Sequence, residues 1–315
     1  MTKQSALILG ATGGIGGAMT RRLLADGWNV KALTRNRLAQ LHAGCEPIIG
    51  DALDPLAVRS AARGADIIVH AVNPPGYRGW ARLVLPMIDN TIAAARSTGA
   101  RIVLPGTVYN YGPDAFPLIA EDAPQHPRTR KGAIRVEMER RLQALADSGA
   151  ASALVVRAGD YFGPGAANTW FGQGLVTHGS RPHVIRNPGT RGVGHQWAYL
   201  PDVAETMVRL LNHGALPTFA RFHIEGQWDA DGRQMVEAIA QVLGDPSVPI
   251  RPLPWWQLQI AALVAVTPRE LMEMRYLWQL PIRLVNDHLV AVLGEEPRTP
   301  LVDAVRATLA DQGCL

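Results

Sequence analysis

Ala6-Leu7-Ile8-Leu9-Gly10-Ala11-Thr12-Gly13-Gly14-Ile15-Gly16-Gly17-Ala18-Met19-Thr20-Arg21-Arg22-Leu23-Leu24-Ala25 reads as a buried strand, a glycine loop and a helix in succession. A loop of this kind cradles phosphate. Without side chains its backbone turns sharply and approaches a pyrophosphate, and the helix that follows offers N–H groups and the positive end of its dipole. Gly10-x-x-Gly13-x-x-Gly16 would be a weak signal in isolation. Its specificity comes from the strand before it and the helix after it.

Further along the chain the same alternation continues. Apolar runs at Val30–Leu33, Pro47–Ile49, Ile67–Val69, Ile102–Leu104 and Ala153–Val156 read as strands, and periodic segments such as Leu83–Ala95 read as helices between them. Such a pattern predicts an α/β fold, a Rossmann-type doubly wound parallel sheet with helices on both faces. The second half is less regular. Residues 157–194 are rich in Gly, Pro and aromatics and read as loops over a site; Asp202–Leu211 and Gln234–Leu243 read as helices; Leu253–Leu315 reads as mostly helical, with breaks at Pro268, Pro281 and Pro300. The expected division is a nucleotide-binding domain over 1–157, to which 195–225 returns, and a smaller, mainly helical substrate-binding region over 158–194 and 226–315.

Composition narrows the classes. Two cysteines, Cys45 and Cys314, cannot form a disulfide framework, so a reducing, cytoplasmic setting is expected. No apolar run reaches the roughly 20 residues that span a bilayer. The nearest, Leu258–Val266, is short and contains Gln259. The strand beginning at Ala6 leaves no room for a signal peptide in the sequence given. A net charge of +4, spread without a basic block, does not imply nucleic acid. The scattered His178, His183 and His195 do not suggest a zinc site.

The second strand ends Leu33-Thr34-Arg35-Asn36-Arg37. In a doubly wound sheet this end lies beside the adenine ribose, where an acid bonds the 2′-hydroxyl and an arginine accommodates a 2′-phosphate. With arginine and no acid there, NADP(H) is favoured over NAD(H). Asp51 follows the third strand and is placed to accept from the adenine amino group. His70-Ala71-Val72-Asn73 follows the fourth, with Ala71 and Asn73 small enough to pass beside the dinucleotide.

Together, Gly10–Gly16, Arg35, Gly50-Asp51, Asp66–Ala71, Leu104–Gly112, Val156–Gly165 and Trp197–Ala204 resemble the extended and atypical short-chain dehydrogenase/reductases, including NAD-dependent epimerase/dehydratase-like proteins. The resemblance implies NAD(P) at the carboxyl ends of the strands, a small-molecule substrate roofed by the second half, and a homodimer through helices corresponding to Leu83–Ser97 and Lys131–Asp147. It also exposes a departure. The family places a Ser or Thr ahead of a Tyr-x-x-x-Lys helix. Thr107 matches the first position, but the Tyr falls on Lys131 and the Lys on Arg135. Lys-x-x-x-Arg is similar to the isoflavone-reductase-like and NmrA-like members, where a helix lysine is taken as catalytic.

At about 100° per residue, Lys131, Ile134, Arg135, Met138, Leu142 and Leu145 share one helix face, so the two cations point inward with the apolar residues. Lysine is rare here: Lys3, Lys31 and Lys131 are the only ones, against many arginines. An inward lysine beside an arginine is expected to lose its proton readily, because desolvation and a like charge both disfavour its charged form. Lys131 is therefore a candidate acid/base that would also touch the cofactor, with Thr107 assisting and Arg135 as a fixed cation. Tyr109 and Tyr111, on the loop after the fifth strand, are further candidates for the missing phenol. If the family map holds, Tyr111, Phe162, Asn168, Trp170, His195 and Trp197 line the substrate pocket, and their apolar bias suits a partly hydrophobic substrate. Three functions stay open: an NADP(H)-dependent oxidoreductase acting on a carbonyl or activated alkene, a catalytically inactive NADP-binding redox sensor, and a nucleotide-sugar epimerase or dehydratase.

Overall fold

The computed structural model describes residues 3–74 and 79–315. In chain order its strands are β1 (Ser5–Leu9), β2 (Asn29–Thr34), β3 (Cys45–Ile49), β4 (Ile67–His70), β5 (Arg101–Thr107), β6 (Leu118–Ile119), β7 (Ala153–Ala158), β8 (Asp160–Phe162), β9 (Ile185–Asn187), β10 (His195–Tyr199), β11 (Phe219–His223), β12 (Gln227–Asp229), β13 (Ile250–Pro252) and β14 (Arg283–Leu284). The helices are α1 (Gly14–Ala25), α2 (Pro55–Ala61), α3 (Trp80–Thr98), α4 (Arg130–Asp147), α5 (Leu200–Asn212), α6 (Gln234–Leu243), α7 (Trp255–Ala261), α8 (Val266–Glu273), α9 (Asp287–Leu293) and α10 (Leu301–Asp311).

Seven strands form one sheet in the order β11-β7-β5-β4-β1-β2-β3, and every neighbouring pair is parallel. The order reverses between β1 and β4, which opens a crevice at their carboxyl ends. Strands covered on both faces need continuous apolar sequence, which is why β1, β4 and β7 lack the alternation of a half-exposed strand. Leu7, Ile8, Ile68, Val69, Val155 and Val156 are all fully buried. One core layer packs β1 residues Ala6 and Ile8 with α1 and α5 residues such as Met19, Leu23, Val203 and Met207. The other packs Leu7 and Leu9 with α2, α3 and α4 residues such as Val58, Ile88, Met138 and Leu142. Each such side chain contributes about 1.5–3 kcal/mol of burial.

β11 is the edge strand beyond β7, and α5 lies on the α1 face. β10 does not enter this sheet; it pairs with β8 and β12 in a three-stranded one. A third core forms around Phe162, Phe171, Trp197, Ile239 and Leu309, and a fourth around Tyr111, Ile119 and Leu284. Pro268 does not break a helix. It lies in the first turn of α8, where its missing N–H has no intrahelical partner to lose.

Candidate functional site

The glycine loop is closed by backbone approaches that no side chain permits. Gly10 adopts φ +93°, and a Cβ there would lie 2.6 Å from the Ala71 carbonyl oxygen. A Cβ on Gly16 would lie 2.1 Å from the Gly10 carbonyl oxygen. Gly14 faces the second half of the chain, with Leu200 Cδ1 at 2.9 Å and the Gly165 carbonyl at 3.4 Å from its added Cβ. Thr12 and Gly13 are exposed, while Ile15 is half-buried against the core. Gly13 is the N-cap of α1, and among the described residues no side chain caps this end and no acid stands in its first turn. Its amide donors and dipole are thus directed to the crevice, an arrangement that fits a pyrophosphate.

At the ends of β2 and β3, Arg35 and Asp51 come together. The exposed Arg35 guanidinium lies 3.8 Å from Asp51 Oδ2, and Asp51 Oδ1 also accepts from the Leu53 N–H at 3.0 Å. Beyond β4, the Ala71 N–H donates to the Leu9 carbonyl, and Asn73 Oδ1 accepts from the indole N–H of the buried Trp80. The Arg135 guanidinium lies over that Trp80 ring, 5.3 Å from its centroid. The carboxyl ends of β1 and β4 thus bring Gly10 against Ala71, with Thr12 and Gly13 exposed in the adjoining loop and Asn73 and Arg135 both against Trp80.

Thr107 ends β5 and caps the short turn after it, its hydroxyl 3.4 Å from the Tyr109 N–H. Tyr109 is half-buried beside Val108 and Ile119. A Cβ on Gly132 would meet the Tyr109 carbonyl oxygen at 2.2 Å, so this glycine is what lets the start of α4 sit against the β5 turn. Lys131 does point inward and is buried. Its expected surroundings are corrected, however. Two carboxylates from α8 hold the ammonium: Glu270 Oε2, and Glu273 Oε2 at 2.5 Å. Nothing in α4 itself announces them, because they lie well over a hundred residues away. Burial pushes the Glu273 carboxyl up, but the Lys131 hydrogen bond and charge outweigh it and hold it below the usual carboxylate range. Arg135 reaches the carboxyl end of β5, with Nη1 3.5 Å from the Pro105 carbonyl oxygen.

Three residues expected in the substrate pocket are closed off in the interior. Tyr111 is wholly buried in a charged network: its hydroxyl accepts from Arg157 Nη1 at 2.6 Å and pairs with His223 Nε2 at 2.8 Å. Phe162 is wholly buried among Phe171, Trp197 and Tyr199 and is a core residue. Trp197 is also closed off, between Phe162 and Trp278. Asn168 is exposed and accepts from Gln173 Nε2 at 2.9 Å. Trp170 is half-buried and packs on Trp255 and Trp278. His195 stacks on Trp278 with centroids 3.7 Å apart, and its Nε2 lies 2.9 Å from Asp160 Oδ2. With Val108, Leu277 and Ile282, His195 and Asp160 line a small cavity of about 10 Å³.

Sequence reading missed Arg157, Glu139, His223 and Tyr161. Arg157 stands in the apolar run of β7, and a charge in a strand buried on both faces was the available signal. Tyr161 Oη lies 3.3 Å from the Gly106 carbonyl oxygen. Two histidines of this region are buried and uncharged. Burial, reinforced by Arg135, pushes His70 down to about 3, and burial with Arg157 does the same to His223. An unfolded histidine protonates near pH 6.5. Below that pH the unfolded chain takes up protons that the folded one refuses, so stability is constant above the unfolded value and falls with acidification toward pH 3. Each histidine is expected to cost about 2 kcal/mol between about pH 7 and pH 5, read as a falling urea midpoint. An unchanged midpoint would contradict the neutral assignment.

Among the described residues no cluster of His, Cys, Asp and Glu could hold a metal ion, and no helix is long and apolar enough to cross a membrane. Comparison with known proteins gives a family. Residues 6–219 match the NAD dependent epimerase/dehydratase family. A 3-diazoavenalumate denitrifying reductase of a Streptomyces species is 32% identical over 173 residues, 50% of this chain and 57% of that one. A 2-alkyl-3-oxoalkanoate reductase of Shewanella oneidensis is 36% identical over 75 residues, 24% of this chain and 19% of that one. The matches thus span little more than half of the first relative and a fifth of the second. Among solved structures, MoeE5 in complex with UDP-glucuronic acid and NAD superposes with a TM-score of 0.74 at 19% identity, covering 98% of both chains. UDP-glucose 4-epimerase of Thermotoga maritima, solved with UDP-glucose, superposes with a TM-score of 0.75 at 14% identity, again over 98% of both. With its seven-stranded parallel sheet, its glycine cradle at the crossover of strand order and a family match across two thirds of its length, the chain belongs to the NAD-dependent epimerase/dehydratase family.

Proposed function

We propose that this protein is an NADP(H)-dependent oxidoreductase that reduces a carbonyl or activated alkene of a small, partly apolar molecule. The observation that carries the cofactor choice is Arg35, exposed at the end of β2 with no acid in its own loop, beside the cradle of Gly10–Gly16. The cradle holds the pyrophosphate, and Arg35 leaves Asp51 to meet the ribose 2′-phosphate. Asn73 and Ala71 form the wall along which the dinucleotide passes, and Lys131 reaches it from α4. Bound NADPH supplies a hydride; Thr107 and the residues around it orient the acceptor. Reductase names among the relatives support reduction over epimerisation. An apolar substrate is supported by α7 and α8: Trp256, Ile260, Leu263 and Val264 are exposed on the same hairpin that brings Glu270 and Glu273 to Lys131.

Equilibrium binding tests the cofactor reading. NADPH is expected to bind more tightly than NADH, and Arg35→Ser to weaken NADPH by about tenfold, the worth of one charge-assisted hydrogen bond, while leaving NADH unchanged. Preference for NADH would overturn it. Reduction is read as NADPH consumption with enones, quinones, aldehydes and 3-oxoacids. A second reading, a redox sensor without turnover, is favoured by the missing Tyr-x-x-x-Lys and by the closed Lys131–Glu270–Glu273 cluster; tight NADPH binding with no consumption would select it.

A further inference from the structure

In α4, Glu270 and Glu273 hold the Lys131 ammonium and Arg135 keeps its proton. The carboxyl end of β5 gathers another donor. Thr107 closes the strand. Tyr161 Oη lies 3.3 Å from the carbonyl oxygen of Gly106, and Arg135 Nη1 lies 3.5 Å from that of Pro105. Three successive residues of β5 thus gather a hydroxyl, a phenol and a guanidinium from three elements. β8 fixes the phenol. Tyr161 is in register with Ala198 of β10, and it is half-buried against the core layer that packs β1, α1 and α5. The chain leaving β8 then reaches the glycine cradle, where the Gly165 carbonyl and Ala166 Cα stand 3.4 and 3.5 Å from a Cβ built on Gly14. Tyr161 thus stands beside the residue that precedes Thr107, on the segment that leads from β8 to the glycine cradle.

Resting on the reductase reading, we propose that Tyr161 is the proton donor of this enzyme and Arg135 the cation that supports it. The electron pair of the C–H bond broken in NADPH forms a new C–H bond on the substrate carbon. The carbonyl π pair takes the proton from Tyr161 Oη, giving an alcohol, NADP+ and a tyrosinate beside Arg135, and water then returns the proton. The contact with Gly106 is long for an O–H···O bond, so little is lost when the hydroxyl turns to substrate. Burial pushes the Tyr161 hydroxyl up to about 12 against the pull of Arg135, so it is protonated at neutral pH but a weak acid, and the charge that develops on the substrate oxygen must draw the proton off.

The test uses the whole protein. With any substrate on which the parent consumes NADPH, Tyr161→Phe is expected to lower kcat by about a hundredfold or more, with KM and NADPH affinity retained. In protein labelled with ¹³C at tyrosine Cζ, the resonance missing from Tyr161→Phe is expected to shift when NADP+ is added to the parent. A Tyr161→Phe variant that turns over like the parent, or a Tyr161 resonance indifferent to NADP+, would overturn the proposal. So would a loss of kcat seen in Lys131→Met and absent in Tyr161→Phe. Consumption of NADPH by the parent measures the reductase reading separately: if the parent consumes none, that reading falls, whatever the resonance does.

Discussion

Replacing Arg157 by Met lowers the free energy of unfolding by about 3–5 kcal/mol, because it strands a buried carboxylate. Arg157 has no exposed surface and Glu139 almost none. The guanidinium binds Glu139 in a fork, Nε to Oε1 at 3.1 Å and Nη2 to Oε2 at 2.5 Å, and Nη1 donates to Tyr111 Oη, His223 Nε2 and the Glu121 carbonyl. Glu139 is further bonded by Asn110 Nδ2 and Gln125 Nε2. His223 is held in one tautomer: Nε2 accepts, so Nδ1–H donates to the carbonyls of Ile119 and Val285 at 3.2 Å. This agrees with a ring that stays neutral far below its ordinary range. Removing the cation leaves the Glu139 charge with only the two amide donors, and takes a donor from Tyr111 Oη, His223 Nε2 and the Glu121 carbonyl, in a low-dielectric interior. Adding Glu139→Gln to Arg157→Met is expected to restore part of the loss, since it removes the stranded charge. Urea unfolding of the two single variants and the double one measures the coupling. Losses that merely add would mean the pair is not a unit. The network ties β7, β11 and α4 together two turns from Lys131 and one from Arg135, so the variant also loosens the helix that carries both.

That network shows where sequence reading stops. The sheet was legible because a strand buried on both faces must be apolar along its length, and the chain obeys this at Ala6–Leu9, Ile67–Val69 and Ala153–Val156. The glycine cradle was legible because close backbone approach leaves a residue type, glycine, as its trace. Lys131 could be placed on an inward face from helical period alone. Its partners could not, since Glu270 and Glu273 reach it through a C-terminal hairpin whose docking no local pattern encodes. Tyr111 and Phe162 were misplaced for a related reason. Aromatic residues in a loop fit a pocket wall and a small core equally well, and what decides is the neighbour supplied by a distant segment: His223 for Tyr111, Phe171 and Trp197 for Phe162. Tyr161 escaped notice because its register is set by β10, not by anything adjacent to it in sequence.

Gly16→Ala is expected to abolish most dinucleotide binding, and comparison with Gly13→Ala separates the two ways a glycine serves this loop. A Cβ on Gly16 would sit 2.1 Å from the Gly10 carbonyl oxygen and 2.7 Å from its carbon, both backbone atoms. Neither can give without moving the end of β1 or the first turn of α1, and Gly10 is itself fixed in the left-handed region against Ala71. The N–H groups aimed at the pyrophosphate then turn away. Losing one such charge-assisted bond costs about 1.5–3 kcal/mol, or one to two orders of magnitude in affinity. The apoprotein should lose stability as well, since the clash exists before any ligand arrives. Gly13 differs. Its φ is −88° and a Cβ would stand 3.4 Å from the nearest atom, an ordinary contact. Gly13→Ala should leave the apoprotein as stable as the parent and weaken binding only where the methyl meets the phosphate, because this exposed N-cap is the surface the ligand approaches. Thermal unfolding of both apoproteins and NADPH titration of each therefore give different pairs of results. If Gly16→Ala melts and binds like the parent, the loop is an ordinary turn and not the cradle.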